Sequence, residues 1–223
     1  MAEAGATANA AQSSLNDQLH DAAAIGDVAA LGEALAAGAD VEARRPDRTP
    51  LAADRTPLAR VVDPNDYPIS EERRTACVRA LLLAGASPSA PITSSTGSSW
   101  TVLHEAAYLG LYTVCRLLLD AGADVNYGKR DFFTPLYYAA KRGPMSEPNQ
   151  KVAALLLSRG AVDGPDVANI PYLQKVRAAG GFAAYAKQHR AKLVAMLAPK
   201  FAHVLPPELV SVVITFWAPV GLH

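Results

Sequence analysis

Cysteine is scarce in this chain of 223 residues, with only Cys77 and Cys115. Two thiols cannot build the disulfide framework of a small stapled domain. A single bridge is not expected either, since it needs Cα atoms about 4.4 to 6.8 Å apart and the two cysteines stand in separate segments. Both precede Leu-rich runs and read as buried packing residues, which suits a reducing compartment. The cytoplasm or nucleus is therefore the expected location.

Long hydrophobic runs are also missing. No apolar stretch reaches the roughly 18 residues of a membrane span, and none is expected. Residues 1–16 contain Ala, Ser and Asn but no Lys or Arg. Secretory and transit peptides use basic residues there, so neither is expected, and the stretch reads as a disordered tail. Net charge is zero, from 21 basic and 21 acidic side chains, and no nucleic-acid partner is expected. There is no Walker-type loop, no Gly-x-Gly-x-x-Gly after a strand and no Gly-x-Ser-x-Gly elbow. His104-Glu105 lacks the second His of a metalloprotease helix. His189, His203 and His223 have no Cys or carboxylate at ligand spacing. The expectation is a non-enzyme with no catalytic residue, cofactor or metal. With 50% hydrophobic and 19% charged residues the chain is nevertheless far from the composition of disorder.

What is abundant is repetition. Gly-Ala pairs follow apolar helical segments at Gly38-Ala39, Gly85-Ala86, Gly122-Ala123 and Gly160-Ala161, at spacings of 47, 37 and 38 residues. The surrounding text recurs as Ala37-Gly-Ala-Asp-Val-Glu42 and Asp120-Ala-Gly-Ala-Asp-Val-Asn126. Thr134-Pro135-Leu136 and Thr56-Pro57-Leu58 open two units, and Thr101-Val-Leu-His104 opens another without its Pro. Small or β-branched pairs follow at Ala22-Ala23, Val61-Val62, Ala106-Ala107 and Ala139-Ala140. Thr caps a helix through its hydroxyl, and Pro at the first helical position leaves no amide unpaired. The Leu runs 81–83, 117–119 and 155–157 are expected to be buried. The glycines are expected to end each second helix in the left-handed conformation.

Over residues 17–163 this pattern resembles the ankyrin repeat, with about four units. The resemblance implies an all-α solenoid of stacked helix-turn-helix units with hairpin finger loops, here assigned to residues 17–165, and a helical C-terminal cap over residues 166–223. It also implies that His20 and His104 hydrogen-bond backbone across the fingers. Against a period of about 33 residues, the longer spacings require insertions. One is the tandem echo Asp47-Arg-Thr-Pro-Leu-Ala52 and Asp54-Arg-Thr-Pro-Leu-Ala59. The second copy is the helix start, because it puts Val61-Val62 at the buried pair where the first would put Asp54-Arg55. Others are Asp63-Pro-Asn-Asp-Tyr-Pro68, the Pro/Ser/Thr-rich residues 87–99, and Pro144-Met-Ser-Glu-Pro148.

The C-terminal region departs from the pattern. Residues 171–179 and 182–201 read as two helices broken at Gly180-Gly181, with Phe182, Tyr185, His189, Leu193 and Leu197 on one face of the longer one. Residues 205–217 form an apolar segment expected to bury itself against the array or a partner. Its Leu205-Pro206 opening is similar to the start of an F-box, which would make the protein a ubiquitin-ligase substrate adaptor. The charge is polarised as well. Residues 1–43 hold seven acidic side chains and no Lys or Arg, and residues 167–207 hold six basic ones and no acid.

Function is therefore expected on a surface. The resemblance implies binding of a protein partner by the concave face and finger tips. By register these carry Trp100, Tyr108 and Leu109 in the third unit, and Tyr127, Arg130, Phe132, Phe133, Lys141 and Arg142 in the fourth. Aromatic and Arg side chains dominate interface hot spots. Trp100, Phe132 and Phe133 can instead pack between adjacent fingers as structural filler. Two rivals to a simple binding module stay open: the ligase adaptor, and a permanent small subunit of a larger assembly.

Overall fold

The computed structural model describes residues 2–46, 54–63, 68–92, 100–128, 133–141, 146–162, 164, 170–201, 206, 209, 212 and 213. Helices pair in sequence: α1 (Ala2–Ile25) with α2 (Val28–Ala36), α3 (Pro57–Val62) with α4 (Glu71–Leu83), α5 (Val102–Leu109) with α6 (Tyr112–Asp120), and α7 (Pro135–Lys141) with α8 (Glu147–Ser158). First helices stack in one layer and second helices in another, α1 on α3 on α5 on α7 and α2 on α4 on α6 on α8. Two fingers carry short antiparallel ladders, β1 (Arg45–Pro46) with β2 (Asp54–Arg55) and β3 (Pro91–Ile92) with β4 (Trp100–Thr101). The array is an all-α solenoid with hairpin fingers.

Two of the first helices start at a capping Thr. Thr56 Oγ1 accepts the Ala59 amide and Thr134 Oγ1 the Tyr137 amide. The second copy of the echo is the one used, and Val61 and Val62 are fully buried. Gly38, Gly85, Gly122 and Gly160 have φ of 94°, 94°, 92° and 87°, the left-handed turn expected after each second helix. Ala34, Leu81, Leu118 and Leu156, each four residues before its glycine, form the spine of the core. Three successive Leu cannot all face inward on a helix. Leu83, expected to be buried, is 83% exposed, because it stands two residues before Gly85 where the other units carry Ala36, Asp120 and Ser158. Cys77 and Cys115 are free and buried, and burial pushes both thiols up from their ordinary pKa.

A ladder of hydrogen bonds ties the fingers in register. The amide two residues after each glycine donates to a side-chain oxygen of the preceding unit: Ser87 to Glu42 Oε1 at 2.6 Å, Asp124 to Ser89 Oγ at 3.0 Å, and Val162 to Asn126 Oδ1 at 2.8 Å. At the first unit no finger precedes, and Asn16 of α1 supplies the acceptor for Asp40 N–H at 2.8 Å. Gln12 adds a bond to the Gly38 carbonyl. Residues 1–16, expected as a disordered tail, are thus helical from Ala2 onward. Ala, their commonest residue, is the best helix former, and Gln12 and Asn16 dock the helix on the first finger.

At the other end α9 (Pro171–Ala178) buries Tyr172, Leu173 and Val176 in the same core as the repeats. Gly180 and Gly181, at φ 88° and 108°, break the chain before α10 (Phe182–Phe201). Leu193 of α10 is buried, while Phe182, Tyr185, His189 and Leu197 are half-buried on the same face. Of the two coverings expected for the segment from residue 205, the array does not provide one where the segment is described. Leu209, Val212 and Val213 are 48%, 61% and 45% exposed, because α9 and the first part of α10 already occupy the apolar flank of the repeats. Phe216 and Trp217 lie outside the described residues.

Candidate partner-binding surface

The first helices of the third and fourth units begin one above the other, which brings their rings together. Trp100 meets Tyr138 edge-on with centroids 4.2 Å apart and stacks on His104 at 5.8 Å. Tyr127 presents an edge to His104 at 6.0 Å. Phe133 packs edge-on against Tyr137 at 5.3 Å, and Tyr137 against Tyr138 at 5.2 Å. Lys141 Nζ lies 5.4 Å from the Tyr137 ring centre, a cation–π contact. Phe133 is 49% exposed, whereas Trp100, Tyr127, Tyr137 and Tyr138 are half-buried.

His104 holds this cluster at its base. A backbone carbonyl can only accept, so Nε2–H donates to Phe133 O at 2.9 Å, and Nδ1 accepts the Thr101 amide at 3.1 Å. The ring is neutral, its pKa lowered by burial to about 4. The finger residue Gly128, at φ 78°, packs so closely that a Cβ would lie 2.7 Å from the Phe133 carbonyl oxygen. Beside the rings lies a buried ion cluster. Arg55 bridges Asp63 (Nε–Oδ2, 3.0 Å) and Glu105 (Nη1–Oε2, 2.9 Å), joining the second finger to α5. Both carboxylates are almost wholly buried, so the guanidinium is required to offset their desolvation.

Of the expected site residues, Trp100, Tyr127 and Phe133 join this cluster and Lys141 rims it. Tyr108 and Leu109 lie at the end of α5, half-buried, and the Tyr108 carbonyl accepts from Asn149 Nδ2 at 3.3 Å. Arg130, Phe132 and Arg142 lie outside the described residues. Tyr137 and Tyr138 were missed. The signal was present, since Thr134-Pro-Leu-Tyr137-Tyr138 aligns with Thr101-Val-Leu-His104-Glu105 and puts Tyr137 at the His position. The Arg55 cluster was missed too, because charged residues read as surface. Among the described residues no group of three or more His, Cys, Asp or Glu is arranged to hold a metal ion. No helix among them is long and apolar enough to cross a membrane.

Comparison with known families gives a match to ankyrin repeats, three copies over residues 69–167. No curated protein matches the chain. The family match spans α4 to α8; before it, α3 keeps a capping Thr at Thr56 and Gly38 keeps the left-handed turn after α2. Over residues 69–167 the stacked helix-turn-helix array with hairpin fingers is built of ankyrin repeats.

Proposed function

We propose that the protein is a non-enzymatic interaction module of the cytoplasm or nucleus that binds a protein partner through the concave face and fingers of its third and fourth repeats. Ankyrin repeats are generally protein-interaction modules. The observation that carries the finer reading is the half-exposed Phe133, set on Tyr137 and rimmed by Lys141. An aromatic anchor with a cationic rim is the composition of an interface hot spot. Trp100, Tyr127, Tyr137 and Tyr138 support the anchor from below, and Tyr108, Leu109, Arg130, Phe132 and Arg142 extend the surface.

Phe133→Ala and Lys141→Glu are expected to abolish capture of a partner from cell extract, each hot-spot loss costing about 2 kcal/mol of affinity, with an unchanged melting temperature. Arg79→Ala, on the opposite layer, should leave capture intact. Loss with Arg79→Ala and retention with Phe133→Ala would place the surface elsewhere.

The exposed Leu209, Val212 and Val213 favour a second reading for residues 205–217. Apolar side chains left in water at helical spacing suit a docking segment, for a ubiquitin-ligase component or a larger assembly.

A further inference from the structure

The charge polarity of the chain is not used by the aromatic surface, and the structure shows what lies beneath each charged end. On α10, Lys187, Arg190, Lys192 and Lys200 are exposed and make no ion pair among the described residues. A shallow groove runs along this helix, walled by Ala183, Ala186, Ala191, Val194 and Ala195 and flanked by Lys187 and Arg190. Four of its five apolar wall residues are Ala and the fifth is Val194, so the backbone of an incoming helix can approach closely. A partner helix armed with large side chains would be held off.

At the opposite end, α2 buries Leu31 and Ala34 and turns Ala29, Gly32, Glu33 and Ala36 to solvent. Space around Gly32 is open, with nothing within 4 Å of where a Cβ would stand. Glu33 makes no ion pair among the described residues. This face has the two properties the α10 groove selects: apart from Val28 at its start its apolar residues are Ala and Gly, and it carries negative charge in a segment with no Lys or Arg across residues 1–43. We propose that copies of this chain associate head to tail, the exposed face of α2 in one copy lying in the α10 groove of the next, with Glu33 between Lys187 and Arg190.

The surfaces that meet are different, so the contact is heterologous and does not close on itself at two copies. Larger species form as concentration rises. One helix on another buries less than the roughly 1,200 Å² of a stable interface, so association is weak and its attraction is mostly charge. Salt therefore dissociates it.

Sedimentation velocity on the full chain over a concentration series tests this. At about 0.05 M salt the mean sedimentation coefficient should rise with concentration, and at about 0.5 M, where screening is several-fold shorter-ranged, the rise should vanish. The Lys187→Glu/Arg190→Glu double variant and the Glu33→Lys variant should each remain monomeric, with unchanged circular dichroism. An equimolar mixture of the two should associate again, since each reversed end meets its complement. Gly32→Trp should block association at any salt. A chain monomeric throughout at low salt overturns the proposal, as does association that survives both charge reversals or a mixture that stays monomeric.

Discussion

Two buried imidazoles do the same job in the first and third units of the array. His104 spends both nitrogens on backbone, and His20 donates from Nε2 to Ala43 O at 3.0 Å while its Nδ1 is buried without a hydrogen-bond partner among the described residues. His20 stands three residues after Asp17 rather than after a capping Thr, because α1 runs straight through the position where later units begin. Burial holds each pKa near 4, against 6.5 unperturbed. Above pH 6.5 neither is protonated in either state, and their contribution to stability is fully present. As pH falls from 6.5 toward 4, the unfolded chain takes up protons that the folded one refuses, and stability is lost. Carboxylates titrate mainly below about pH 5, so the window between pH 5 and 7 isolates the imidazoles. The urea midpoint should fall from pH 7 to pH 5, less steeply in His104→Asn. A flat profile across that window would mean that the imidazoles are not buried and neutral.

Among elements, the fingers are linked by polar rungs as well as by apolar packing. Asn126 makes the fullest rung, accepting from Val162 N–H and donating to Gly160 O at 3.1 Å. Asn126→Ala should destabilise the array by about 1 to 3 kcal/mol, from two net hydrogen bonds of about 0.5 to 1.5 each, and should speed amide exchange at Val162. Asn126→Asp keeps the acceptor and should lose about half as much. Undiminished protection at Val162 in Asn126→Ala would show that the rung is not what orders the finger. Helix positions were legible in the sequence because Thr56-Pro57, Thr134-Pro135 and the left-handed glycines are local chemistry. The rungs were not, because Glu42, Ser89 and Asn126 share a position but no residue type, Asn16 acts from a helix instead of a finger, and their role exists only once units are stacked. Tyr137 and Tyr138 were hidden for a related reason: the motif marks their position as that of a structural His and its neighbour. In α1, low-complexity Ala looked like disorder when its propensity favoured helix.

At the scale of the whole molecule a solenoid is stable only when both end repeats are covered. The N-terminal part of α1 does this at one end, through Asn16 and Gln12 on the first finger. At the other end α9 does it, with Tyr172, Leu173 and Val176 buried against the last repeat and Tyr185 of α10 edge-on to Tyr172 at 5.6 Å. The exposed Leu209, Val212 and Val213 are then surplus to the core. Deleting residues 205–223 should leave the melting temperature unchanged and reduce aggregation, since it removes apolar surface from water. Deleting residues 170–223 should lower the melting temperature sharply, because it uncovers Leu155 and Leu156 at the flank of α8. If the shorter deletion already destabilises the array, residues 205–217 are a cap and the docking reading fails. If stability is untouched while a co-purifying protein disappears, the segment is a docking site and the repeats stand without it.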